Sequence, residues 1–331
     1  MQLKKICTIS LLLILTFHFV LMTGCHKSSL LTAPPDTSVT VKPDTPVTPV
    51  VVSAPFNTDT LIGDGVDLQP SYYNGGNVIF GYSLMQQYPN IKSVRIEIEP
   101  AVPISLAASW IKAAHDSGYR VIATYHKYTV LGTDDTTQLD SAALWWAANY
   151  NALTASGPVT VNLMNEWGSH SQTPATYATA YNQAIAIVRQ VYKGPIILDC
   201  PGYGQETSVA ADAVKGTGGV TLADTNVILS AHIYPNGYNQ ANNHTFQQSD
   251  LDSMASAGRA CIVGEFGNYP SGSVDWMGMV GYAKTKHWAV LGWAWNGDGG
   301  AMNMVTPTWD SAPTASSFSP AAYFTVIYSL L

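Results

Sequence analysis

Glu166 and Glu265 are the residues whose placement asks for a chemical explanation. Each closes an apolar, β-prone run: "VNLMNEWG" over 161–168 and "CIVGEFGNY" over 261–269. One strand-end glutamate is accounted for by an ion pair with an arginine. Two of them, in a chain with only 11 % charged residues, ask for a common cause. A pair of facing carboxyl groups can divide labour, one kept protonated as general acid and the other ionised as base or nucleophile. Further polar and aromatic residues close the neighbouring runs: Arg95 in "RIEI", His126 after "VIATY", His232 and Tyr234 in "HIY", and Trp293 and Trp295 in "GWAW". Tyr203, just past "PIILDC", is a candidate subsite residue.

These residues need elements that bring them to one rim. From residue 56 onward, short Val/Ile-rich runs alternate with Ala-rich segments of helical spacing. Strands are predicted at 61–68, 92–98, 119–126, 159–166, 195–200, 226–234, 260–266 and 289–295. Helices are predicted at 76–88, 105–117, 139–155, 173–191, 206–214, 245–257, 274–286 and 319–330. Asp140-Ser141 and Thr173-Pro174 read as helix starts. Eight strands, apolar on both faces as a covered parallel sheet requires, alternate with eight helices. This predicts an α/β fold, a (β/α)8 TIM barrel, whose typical length is about 250 residues. A doubly wound sheet would bring a Gly-rich phosphate turn after its first strand, and "DGVDLQPSYYNGG" offers none.

In such a barrel, chemistry sits at the C-terminal strand ends. Strands four and seven face one another there, so Glu166 and Glu265 can flank one glycosidic bond although distant in sequence. Glu265 lies beside strand six, where Tyr234 can hold it ionised, which makes it the nucleophile. Glu166 then becomes the acid/base, and Asn165 bonds a sugar hydroxyl beside the reacting carbon. Arg95 shares a strand face with Glu97 and Glu99, so simple charge balance is an alternative role for it.

With these residues in view, "NLMNEWG" and "IVGEFG" resemble the Asn-Glu and strand-seven Glu signatures of clan-A glycoside hydrolases, family 5 in particular. "RIEI", "HIY" and the Trp-rich eighth strand match that family's supporting residues from about residue 61 to 331. "LDCPGYGQ", "HIYPNGY", "GEFGNY" and "VLGWAWNGD" are similar to bacterial endo-β-1,4-mannanases within it. The resemblance implies a retaining endo-β-1,4-mannanase acting on a β-linked polysaccharide or oligosaccharide, with no cofactor. It implies Glu166 as acid/base and Glu265 as nucleophile. It places Arg95, Asn165, His232 and Tyr234 around the reacting sugar, with Trp295 as its stacking floor; His126 joins them by its strand-end position. The chain departs from the mannanase pattern at His126-Lys127, at "EIEP" and at "DLQPSYYNGG", loops that shape outer subsites. An endo-β-1,4-glucanase (cellulase) of the same family is the alternative. A non-catalytic surface glycan-binding lipoprotein is another, although such a binder is expected to lack one of the two carboxylates.

The remaining composition bounds partners and location. Hydrophobic residues make up 47 % of the 331, enough for a full core. Formal net charge is -7, without a Lys/Arg run, which argues against nucleic acid. Lys4 and Lys5 precede the apolar run "ICTISLLLILTFHFVLM", as in an export signal. "LMTGC" resembles a bacterial lipobox, implying a signal peptide at 1–24 and lipidation of Cys25. Residues 25–55 read as a Pro/Thr-rich tether to a membrane; within them "APPDTSVTVKPDTPVTPVVVSAP" (33–55) offers a run of ~20 residues that spans roughly 60 Å where polyproline-like. The expected product is an exported bacterial lipoprotein at the outer membrane or cell surface, with the periplasm as the alternative, monomeric, with residues 56–331 as the catalytic domain. Cys200 and Cys261, at opposite ends of their strands, are expected as buried thiols. The chain shows no HExxH and no Cys/His cluster, so no metal site is predicted.

Overall fold

The computed structural model describes residues 57–73, 76 and 78–331. The predicted signal peptide, Cys25 and the Pro/Thr-rich tether lie outside the described residues. Eight parallel strands close into a barrel: β1 (Gly65–Leu68), β2 (Ser93–Ile98), β3 (Arg120–Tyr125), β4 (Thr160–Asn162), β5 (Ile196–Asp199), β6 (Val227–Ile233), β7 (Ala260–Phe266) and β8 (Val290–Asn296). Each pairs with its chain neighbour, and β1 pairs with β8 to close the ring. The (β/α)8 TIM barrel expected from the alternating pattern is the fold observed.

Strand alternation layers the interior. Ile62, Ile122, Ile197, Ile228, Ile262 and Leu291 pack together as an apolar plug. On the same strands, two positions further toward the C-terminal ends, stand Thr124, Asp199 and Ser230, all fully buried, and across from them Asp67, Arg95 and Asn162. Buried polar groups are costly unless paired. The barrel therefore stops being a hydrocarbon plug and becomes a polar floor as it nears its C-terminal rim.

Helix starts follow local chemistry. Thr173 caps the helix Pro174–Val188 in a reciprocal capping box with Thr176, as the Thr-Pro pair predicts. The helix Thr136–Leu153 starts earlier than predicted. Asp135 is its cap, accepting from the Thr137 N–H at 2.9 Å, which leaves Asp140 and Ser141 inside the helix. The helix predicted over 76–88 shrinks to Tyr82–Met85, preceded by Gly81 in the left-handed region at φ 70.

Two irregularities position the rim. Between β6 and β7, Ala231 pairs with Val263 but His232 pairs with Glu265. The extra residue is Gly264, where a Cβ would lie 2.1 Å from Ser230 Oγ. This bulge turns Glu265 onto the inner face beside His232 and sends Phe266 outward into the helix layer. The second shift falls in β8, between its pairings of Val66 with Gly292 and of Leu68 with Asn296. Cys200 and Cys261 are both buried and free. Among the described residues, no helix is long and apolar enough to cross a membrane.

Candidate active site

β4 ends at Asn162, and residues 163–166 leave the sheet to bring Glu166 over the barrel mouth. The Asn165 N–H donates to Tyr125 O at 2.9 Å, and the Glu166 N–H donates to Asp199 Oδ2 at 3.0 Å. Glu166 itself adopts φ 47, a left-handed conformation uncommon for a residue with a Cβ. These backbone bonds hold it there.

Glu166 and Glu265 meet on the floor of a cleft of about 540 Å³. With His232 they offer carboxylate and ring atoms all within 4.8 Å of one another. Glu265 Oε1 accepts from Arg95 Nη1 at 3.0 Å, and Glu265 Oε2 accepts from the Tyr234 hydroxyl at 2.7 Å. Glu166 has a different setting. Burial raises its pKa, the charge of Glu265 raises it further, and the His232 contact offsets part of the rise. The two carboxyls thus sit in unequal settings: Glu265 accepts from a guanidinium and a hydroxyl, while the surroundings of Glu166 strengthen its hold on a proton.

Beneath them runs a buried network. Arg95 donates to Asp67, Glu97, Asn162 and Asn165 as well as to Glu265. Burial disfavours the Arg95 charge, but the surrounding carboxylates reverse this and raise its pKa. His232 Nδ1 lies 2.9 Å from Glu166 Oε1, and its Nε2 lies 3.6 Å from Asp199 Oδ2, an ion-pair distance beyond a hydrogen bond. Burial lowers the His232 pKa, yet Glu265 and Asp199 carry it above the ordinary histidine value. Burial works against an ionised Asp199 too, but His232, Arg95 and the Glu166 N–H hold it at about 2. Asp67 has its pKa raised, by burial first and by neighbouring acids.

Of the residues singled out in the sequence, Glu166, Glu265, Asn165, Tyr234 and His126 line the cleft. Asn165 Oδ1 is engaged by Arg95, so its amide NH₂ is the end left to donate into the cleft. His126 Nδ1 lies 2.7 Å from Glu99 Oε1 at one side of the cleft.

Three placements correct the sequence reading. Arg95 and His232 are not at the sugar-facing surface: both are buried under the carboxylates and act on them from below. Trp295 is not the stacking floor. The register shift in β8 turns it outward, where its indole N–H donates to Phe80 O at 2.8 Å and its ring meets Phe324 edge-on. Trp293 faces the cleft instead, with its indole N–H donated to Asp298 Oδ1 at 3.0 Å. Sequence reasoning passed over Asp67, Asp199 and Asp298. The first two sit on the inner face of "GVDL" and "IILD", where alternation alone exposes them; nothing local signals Asp298.

Residues 92–299 match the family described as Cellulase (glycosyl hydrolase family 5). The chain belongs to glycosyl hydrolase family 5. Within this family it is 29 % identical, over 185 residues, to a mannan endo-1,4-beta-mannosidase from Streptomyces lividans. That match covers 54 % of this chain and 47 % of the relative, so the chain spans about half the length of the curated relative it matches. Solved family structures share the fold. The catalytic domain of a mannanase from Streptomyces sp. SirexAA-E superposes at a TM-score of 0.63 with 20 % identity, covering 82 % of this chain and 85 % of the other. An endoglucanase catalytic domain from Thermobifida fusca superposes at 0.63 with 15 % identity, covering 81 % and 91 %. A mannohexaose complex of a Thermomonospora fusca β-mannanase gives 0.61 with 22 % identity, covering 82 % and 89 %.

Proposed function

We propose that this glycoside hydrolase is a retaining endo-β-1,4-mannanase, with Glu265 as nucleophile and Glu166 as acid/base. The observation that carries the reading is the spacing and inequality of the two carboxyls. Their oxygens approach within 4.8 Å, close to the roughly 5–5.5 Å separation of retaining enzymes and short of the ~6.5 Å at which an inverting pair admits water. A carboxylate oxygen of Glu265 attacks the anomeric carbon while the bond to the leaving oxygen breaks, and Glu166 gives that oxygen its proton. Glu166, now a carboxylate, then takes a proton from water. The water oxygen bonds the same carbon and Glu265 is released. Arg95 and Tyr234 orient Glu265, Asn165 donates to a hydroxyl of the reacting sugar, and Trp293 stacks beneath it.

Mannan is favoured by the mannan endo-1,4-beta-mannosidase relative and by the mannanase-like motifs around residues 198–205 and 290–298. The test is release of reducing ends from galactomannan beside carboxymethyl cellulose and xylan, with the anomer of the first product read by NMR. Preferential galactomannan cleavage with a β first product is expected. Preference for carboxymethyl cellulose makes it the glucanase, an α first product removes Glu265 as nucleophile, and cleavage of none leaves a glycan binder. We further propose that the chain acts as a monomer tethered to the outer membrane or cell surface through Cys25, so that Cys25→Ala releases active enzyme from the membrane fraction.

A further inference from the structure

Past Asn162 the strand pairing of β4 with β5 ends, and the Leu163 N–H donates to Ile197 O at 3.1 Å. Three residues further on, a side chain takes over the part of the sheet. Asp199, the last residue of β5, accepts the Glu166 N–H on Oδ2 at 3.0 Å. The same oxygen lies 3.6 Å from His232 Nε2 and 3.8 Å from Arg95 Nη2. His232 Nδ1 in turn lies 2.9 Å from Glu166 Oε1. These contacts close a ring: Asp199 to the Glu166 backbone, the Glu166 carboxyl to His232, and His232 back to Asp199. We infer that Asp199 is the positioning residue of the acid/base, holding Glu166 at its backbone directly and at its carboxyl through His232. The role rests on the glycosidase reading above; in it Asp199 touches no substrate and moves no proton.

Glu166 needs such a hold. Its φ of 47 is disfavoured for a residue with a Cβ, so the backbone relaxes unless its neighbours fix it. The Gly132 N–H fixes the carbonyl side by donating to Glu166 O at 2.8 Å, and Asp199 fixes the amide side. A bond from an N–H to a carboxylate is charge-assisted and stronger than one to a neutral acceptor. Asp199 is itself immobile. It is fully buried, its Oδ1 accepts from Asn162 Nδ2 at 3.3 Å, and its backbone O accepts from the Tyr177 hydroxyl at 2.9 Å.

The plainer role for a buried carboxylate here is to balance the Arg95 charge. The distances assign that work to others: Asp67 and Glu97 lie 2.9 Å and 2.8 Å from Arg95 Nη1, well inside the 3.8 Å of Asp199. The shortest contact of the Asp199 side chain is the Glu166 N–H. An acid catalyst must stand within hydrogen-bond reach of the departing oxygen, and a displacement of about 1 Å costs on the order of a hundredfold in rate.

Two leaving groups of unequal basicity read the position of Glu166. On a phenyl β-mannobioside, a Glu265 oxygen bonds the anomeric carbon and the glycosidic bond gives its electron pair to the phenolic oxygen. That oxygen takes the Glu166 proton. On the dinitrophenyl compound the same bonds form and break, but the phenolate departs as an anion and needs no proton. The ratio of kcat/KM on the phenyl compound to that on the dinitrophenyl compound therefore reports on the acid. Asp199→Ala should lower this ratio about tenfold to thirtyfold. Asp199→Asn keeps an oxygen for the Glu166 N–H and should lower it by less; it also serves where the alanine variant does not fold. Lost stability or a distorted cleft depresses both substrates together and leaves the ratio unmoved. A wild-type ratio in Asp199→Ala, or in Asp199→Asn where alanine does not fold, overturns the positioning role. Glu166→Ala should lower the ratio further than either; a ratio it leaves unmoved sinks the acid/base assignment instead. Cleavage of the β-cellobiosides alone moves the comparison to that pair and sinks only the mannan preference. Cleavage of neither series removes the glycosidase reading, and this inference with it.

Discussion

His232 Nδ1 stands 2.9 Å from Glu166 Oε1, while the opposite ring nitrogen faces Asp199. A cationic imidazole between two carboxylates lowers the proton affinity of Glu166. Burial and Glu265 raise that affinity, so the pKa of Glu166 is a balance in which the charge of His232 opposes them.

Removing that charge should be visible in the pH profile. An acid catalyst is lost as pH rises through its pKa, so with Glu166 as the proposed acid the alkaline limb of kcat/KM should follow its raised pKa, above the ordinary glutamate value. In His232→Asn the lowering influence goes, and the limb should move to higher pH by about one unit. A limb that stays in place, or moves down, contradicts the coupling.

The two tryptophans of β8 should separate cleanly. Trp293→Ala removes the cleft's stacking surface and should raise KM on oligosaccharides about tenfold. Trp295 is fully buried behind the strand, so Trp295→Ala should cost about 3–5 kcal/mol of stability. The milder Trp295→Phe should lower the urea midpoint and leave KM where it was.

That pair also marks how far the sequence could be read. All eight strands were legible because a covered parallel sheet writes itself as short apolar runs, and Glu166, Glu265 and Tyr234 were legible because they end those runs. Alternation put Arg95, Glu97 and Glu99 on one face, and the structure joins Arg95 to Glu97 at 2.8 Å. What alternation cannot show is where it breaks. The β8 shift exchanged Trp295 for Trp293, and the bulge at Gly264 put Glu265 inside for a reason invisible in "IVGEFG". Asp135 displaced Asp140 as a helix cap because several acids and hydroxyls stood close enough to compete.

Asp199 should be an acid-sensitive keystone. Its folded pKa of about 2 lies below the ordinary 3.8, so it stabilises the fold above the unfolded value, and that contribution is lost as pH falls through about 2. The difference corresponds to something on the order of 2 kcal/mol. Asp199→Asn should be destabilised by that amount at pH 7, with the gap to wild type closing toward pH 2 in thermal or urea unfolding. A gap that persists at pH 2 would assign the loss to packing.

Glu97 should act with the opposite sign. Burial, opposed by His126 and Arg95 and reinforced by Glu265, lifts its pKa from 4.5 to about 7. Between those values the folded protein holds a proton that the unfolded chain has released, so stability falls as pH rises through that window. The corresponding slope sums to something on the order of 3 kcal/mol. Glu97→Gln cannot titrate, so its stability should be flatter between pH 5 and 8 than that of the wild type. The absolute offset of the variant is a poor guide, because a new amide must share contacts with Arg95 and with Gln69, which donates to Glu97 Oε2 at 2.6 Å. The slope isolates the proton. Urea midpoints measured at pH 5, 6, 7 and 8 on both proteins decide it, and parallel curves would mean that Glu97 is already ionised at the bottom of the barrel mouth.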